Sequence, residues 1–139
     1  MEGVDVYRTL LMTLFNDVHE ARITDLHKMA QHYVDAQTAE DRSFAEQIEG
    51  MPDGISDEMS AQREEYRAQK SPESIVARDA DILECLMQAK EYTAQGQTGA
   101  VLFAKNGDHL ATESARKLWA LMEETDVNAW WSRIGKFER

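Results

Sequence analysis

The sequence predicts an all-α protein, an irregular helical bundle, and three observations carry that expectation. Apolar residues recur at three- and four-residue steps along most of the chain, the strict alternation that marks strands is almost absent, and turn residues fall between the periodic runs. At 139 residues the chain fits a single domain, 1–139, and no internal repeat or low-complexity segment divides it. An apolar fraction of 42% beside 29% charged residues is that of a folding globular chain rather than a disordered one.

The elements follow in order. Val6, Leu10, Leu11, Leu14 and Phe15 predict a first helix from about Val4 to about His19. Thr24 to His27 reads as a break with a polar cap, and Leu26, Met29, Ala30 and Tyr33 then suggest another turn or two of helix. A polar helix from Thr38 to about Gly50 carries Phe44, Ile48 and Met51 on one side, and Met51-Pro52-Asp53-Gly54 ends it with turn chemistry. The stretch from Ser56 to Gln69 is charged nearly all round and is expected to be a surface helix, with Arg63-Glu64-Glu65-Tyr66-Arg67 as a solvated face.

Ser71-Pro72-Glu73 is a helix start: a serine cap, a proline at the first helical position and an acid in the first turn. The helix that follows reaches about Ala94, with Ile75, Val76, Ile82, Leu83, Leu86 and Met87 as its apolar stripe and Ala77, Cys85 and Ala89 keeping the other side small. Asp79, Asp81 and Glu84 lie in the middle of it, and a buried carboxylate costs several kcal/mol unless paired or metal-bound. Periodicity puts Asp79 on the buried stripe. A glycine-punctuated connection from Gly96 to Gly107, with the apolar patch Val101-Leu102-Phe103, leads to an amphipathic helix from Ala111 to about Glu124. A last element from Val127 to Ile134 carries Trp130 and Trp131; these and Trp119 are expected in the core.

Charge and cysteine use narrow the function. A net charge of −11 argues against affinity for duplex nucleic acid, which is built from cations that neutralise phosphates. An anionic substrate would need a local counter-charge, which a bound divalent metal supplies. The single cysteine, Cys85, permits no intramolecular disulfide and fits a reducing compartment. No apolar run is long enough to span a membrane and no secretory leader is evident, so a cytoplasmic location without membrane partners is expected.

Two acidic clusters stand out, Asn16-Asp17-Val18-His19-Glu20-Ala21-Arg22-Ile23-Thr24-Asp25 and Asp79-Ala80-Asp81-Ile82-Leu83-Glu84. Packed together they would gather carboxylates around one point, which a hard or borderline divalent cation would occupy. The first cluster resembles the motif of the HD-domain metal-dependent phosphohydrolases, in which His-Asp is followed by Glu and then by a Gly-Asp pair. The run Val76 to Glu84, followed by Gln88 to Tyr92, resembles the second metal-binding helix of that family. The resemblance spans about Gly3 to Trp131 and is closest to small 5′-deoxynucleotidase-like HD proteins.

That resemblance implies a divalent metal, Mn, Co, Mg or Zn, bound by Asp17 and Asp81 and, more weakly through its amide oxygen, by Asn16, which stands where the family has its dyad histidine. It places Glu20 beside the attacking water as a catalytic residue and Asp25 at the nucleotide, and it prefers Asp81 to Asp79 as the ligand. The family's N-terminal helices, with its first histidine, have no counterpart in the sequence. The implied activity is hydrolysis of nucleoside 5′-monophosphates or a related small phosphomonoester. The alternative is a degenerate, non-catalytic HD-like domain that binds a nucleotide or a partner protein, and Asn16 favours it; a plain helical oligomerisation module would leave the acids unexplained. His19, two residues beyond Asp17 on a helix, should point away from it, His27 and His32 are expected at the surface or an interface, and His109 lies beside a glycine turn, so none is expected to be a ligand. Val6, Leu10 and Leu14 should lie uncovered, which points to a homo-oligomer.

Overall fold

The computed structural model describes residues 2–132 and 134, and among them it contains helices and no strand. The all-α expectation holds. The described residues form two compact units, an amino unit of Asp5–Ser74 and a carboxyl unit that begins at Ile75 and includes residues 2–4.

The amino unit comprises α1 (Val6–Phe15), two single-turn helices α2 (Glu20–Ile23) and α3 (Lys28–Gln31), then α4 (Ala36–Ile48) and α5 (Asp53–Ala68). Asp5 caps α1 by accepting from the Arg8 amide, and Asp35 caps α4 by accepting from Thr38. Helix α1 packs on α5 and α2 on α4. Met12, Phe44, Met59 and Tyr66 are the buried apolar residues.

Helix α5 departs from the expected solvated face. Met59 and Tyr66 are buried on it, and the Arg63 side chain is only 10% exposed. Glu64 and Arg67 are exposed as expected, but Arg63 and Glu65 are tied to other elements: Arg8 Nη2 donates to both oxygens of Glu65 at 2.6 Å, and the Ser71 hydroxyl donates to the same carboxylate. Composition alone could not show this, because the partners come from α1 and from the start of the next helix. That helix, α6 (Pro72–Ala94), begins as its sequence implies, with Ser71 Oγ accepting from the Ser74 amide at 3.1 Å.

The outer face of α1 is apolar and uncovered, as expected: Val6, Leu10 and Leu14 are each at least 60% exposed.

In the carboxyl unit a 3₁₀ segment (Thr98–His109) connects α6 to α7 (Glu113–Glu124), and α8 (Ala129–Ser132) follows. Leu86, Leu110 and Ala115 form the core, with Ile82, Leu83, Trp119 and Met122 packed against it. Gly107 is required by that packing, since a Cβ there would lie 2.5 Å from Trp119 Nε1. Trp119 thus packs as expected, whereas Trp130 is 71% exposed and Trp131 is exposed as well. Cys85 is half-buried and takes a weak hydrogen bond from Asn106.

Two side chains of α6 hold α7 at its two ends. Asp79, buried, accepts from the amides of Ala111 at 2.8 Å and Thr112 at 2.7 Å and from the Thr112 hydroxyl at 2.6 Å. Lys90 donates to the carbonyls of Met122 and Glu123. The start of α7 therefore meets an anion and its end a cation, which is the favourable sense of the helix dipole, and both ends have orphan backbone groups satisfied. Asp79 and Lys90 stand about 16 Å apart along α6 at 1.5 Å per residue, close to the length of α7. The two helices therefore run parallel, and the 3₁₀ segment is the return crossing.

Two consequences can be measured. Hydrogen bonds to a charged group contribute about 1.5–3 kcal/mol each and are not additive, so Asp79→Ala should lower the unfolding free energy by about 3 kcal/mol in urea titration. Arg8 holds the Glu65 carboxyl below its ordinary value, with Ser71 assisting and partial burial opposing. A lowered folded value means that this stabilisation is complete above the unfolded value, about 4.3, and is lost as pH falls through the folded one. Arg8→Ala should therefore melt below wild type at pH 7, and thermal scans should show the gap closing below pH 4.

Candidate metal centre

The acids near residue 17 sit on a tight turn, not on the helix expected to run to His19. Helix α1 ends at Phe15, and residues 16–19 turn to meet α2. Three carbonyls of the turn also accept side chains of α4 and α5: Asn16 O from Arg63 at 3.4 Å, Val18 O from Gln47 at 2.8 Å and His19 O from the buried Ser43 hydroxyl at 2.8 Å, with Val18 O and His19 O accepting backbone amides of α2 as well.

With the helix broken, two-residue spacing no longer sends side chains to opposite faces. Ligand atoms of Asp17, His19 and Glu20 all lie within 4.8 Å of one another. The expectation that His19 points away from Asp17 is overturned, because it assumed α-helical winding, whereas the hydrogen bonds of the turn run three residues back, though Asn16 and His19 keep helical dihedrals. His19 is buried, Glu20 half-buried and Asp17 exposed.

Arg63 organises this turn from α5. Its guanidinium lies 3.4 Å from His19 Nδ1 and 3.2 Å from Asp41 Oδ1, and its carbon is 4.5 Å from the centre of the Phe44 ring. Arg67 pairs with the same Asp41. His19 Nε2 faces Glu40 Oε2 at 4.0 Å. Partial burial raises the Asp17 carboxyl above its ordinary value; His19 pulls it down, Asp25 pushes it up, and Arg63 and Glu40 add smaller opposing effects.

The other expected site residues are placed as follows. Asn16 Nδ2 donates to Asp17 Oδ1 at 2.9 Å, so its amide nitrogen, rather than its oxygen, is turned to the acid. Asp25 is exposed beyond α2, close enough to influence Asp17. Asp81 belongs to the carboxyl unit and is exposed on α6, while Asp79 is the buried acid of that helix and is fully engaged with α7. Among the other histidines, His27 caps α3 by accepting from the Ala30 amide at 3.1 Å, and His32 packs edge-on against Tyr33.

Asp25 is preceded by Thr24, whose φ of 60° and ψ of 168° belong to a region that glycine occupies freely and a β-branched residue does not. The HD motif described above carries a glycine immediately before its acid, so the loop keeps the glycine conformation with threonine in place.

A family model described as an HD domain matches residues 1–120. The chain belongs to the HD-domain family. No curated protein and no solved structure matches it. HD domains are in general metal-dependent phosphohydrolases that bind divalent cations. The donors of this HD domain fit such a cation: two carboxylates and an imidazole form a mixed oxygen and nitrogen set, suited to Mn²⁺, Co²⁺ or Zn²⁺.

The strain at Thr24 is testable. Relief of an unfavourable backbone conformation is worth about 1–3 kcal/mol, less the extra unfolded-state entropy of glycine, so Thr24→Gly should raise stability by about 1 kcal/mol in urea titration.

Proposed function

We propose that this HD domain hydrolyses nucleoside 5′-monophosphates or a related small phosphomonoester with a divalent metal held at the turn between α1 and α2. The observation that carries this reading is the convergence of Asp17, His19 and Glu20 within 4.8 Å on a chain of this family. Asp17 and His19 would hold the ion. When bound, the cation supplies Lewis acidity and counter-charge for a phosphoryl group, which a chain of net charge −11 otherwise lacks.

The chain's own groups divide the remaining work. Glu20 orients and deprotonates the attacking water. Asp25, a carboxylate, is suited to accept hydrogen bonds from sugar hydroxyls and is repelled by phosphate. Asp81, which the family resemblance makes a ligand, belongs to the carboxyl unit and is tested by itself.

A second reading, a domain that binds a nucleotide or partner without hydrolysis, is favoured by one observation. At the position of the dyad histidine, Asn16 offers Asp17 a hydrogen-bond donor.

The experiment is titration of the metal-stripped protein with Mn²⁺, Co²⁺, Mg²⁺ and Zn²⁺ by calorimetry, with phosphate release from nucleoside 5′-monophosphates followed in parallel. Asp17→Ala and His19→Ala should each weaken metal binding by at least about tenfold, since even outer-shell partners of metal ligands are worth 10–100-fold. Asp81→Ala tests the ligand role that the family resemblance implies for Asp81, with Asp79→Ala, which should leave metal binding unchanged, as its control. Metal binding without phosphate release from any nucleotide would favour the second reading, and no metal binding would overturn the first. A homo-oligomer is part of the same proposal, supported by the exposed stripe Val6, Leu10 and Leu14, and light scattering of the same samples should give a mass above that of one chain.

A further inference from the structure

Arg63 makes the His19 ring unavailable to a metal in the conformation described. A guanidinium has only donors, so a hydrogen bond at its 3.4 Å contact with Nδ1, from the nitrogen that also reaches Asn16 O, requires Nδ1 to accept. The tautomer that permits this carries its proton on Nε2, the nitrogen that faces Glu40. A metal ion needs a bare lone pair. It can take Nδ1 only if Arg63 leaves it, and it can take Nε2 only if the proton moves to Nδ1, where an N–H would confront the N–H of Arg63.

Either route separates Arg63 from His19. The rest of the environment can tolerate that separation, because the guanidinium keeps Asp41 and the Phe44 ring as partners, and Asp41 keeps Arg67.

We propose that Arg63 and the divalent metal compete for His19, so that Arg63 acts as a built-in cation that sets the metal affinity of the turn. This rests on the reading that Asp17, His19 and Glu20 bind a metal. A site gated in this way would be filled only when the free metal concentration is high enough to displace an internal hydrogen bond, and the turn's link to α5 would loosen as it fills.

The test uses the full chain with Mn²⁺ and Zn²⁺ as probes. Arg63→Met keeps an apolar stem on Phe44 and cannot donate to His19; calorimetry should show it binding metal about tenfold or more tightly than wild type, the equivalent of one charge-assisted hydrogen bond. Arg22→Met removes a positive charge from α2, where Arg22 pairs with Glu46, and should change affinity by about twofold or less. Equal tightening in both variants would show an effect of charge alone and overturn the competition. If wild type binds metal and Arg63→Met binds it no better, the competition falls while the metal site stands. If neither binds metal, the site itself falls. Should Arg63→Met fail to fold, ¹⁵N–¹H correlation of the wild-type imidazoles remains decisive: metal-free His19 should carry its proton on Nε2, and a proton on Nδ1 would overturn the proposal.

Discussion

The amino unit depends on where one guanidinium is held. Arg63 projects from α5 into the angle between the 16–19 turn and α4, stacks on Phe44, and shares its donors among Asn16 O, His19 and Asp41. Such a group is costly to bury unless its donors are satisfied, and here the partners that satisfy it come from separate elements. Arg63, Gln47 and Ser43, from α5 and α4, tie down the carbonyls of the turn that carries Asp17, His19 and Glu20.

A comparable economy governs the carboxyl unit. Asp79 and Lys90 on one helix satisfy the opposite ends of another, and this fixes the parallel direction of α7 more firmly than its modest core of Leu86, Leu110 and Ala115 could alone. It also gives the buried acid of α6 a structural explanation. An aspartate whose two oxygens already accept three hydrogen bonds has little left for a metal, so the apolar stripe located the buried carboxylate, and its partners show what it is for.

The two units put their acids to different uses. In the carboxyl unit the buried acid meets backbone amides that need an anion. In the amino unit the acids lie beside one another with Arg63 and His19 as the nearby positive or polar counterweights, and partial burial, more than the neighbouring acids, lifts the Asp17 carboxyl.

The sequence by itself determined the all-α class, most helix boundaries, the Ser71 cap, the buried position of Asp79 and the uncovered stripe on α1, because each follows from local periodicity or from capping within a few residues. The motif around Asp17 was likewise legible, and with it the family. Tertiary structure alone decided that residues 16–19 are a turn, that His19 joins Asp17 and Glu20, and that Arg63 and Glu65 are internal ties rather than a solvated face. Those outcomes depend on hydrogen-bond partners that are more than twenty residues away for His19 and Arg63 and more than fifty for Glu65 and Arg8. A carbonyl oxygen can accept a backbone amide and a side chain together, as His19 O does from Ile23 and Ser43, and only the folded chain brings the distant donor within reach.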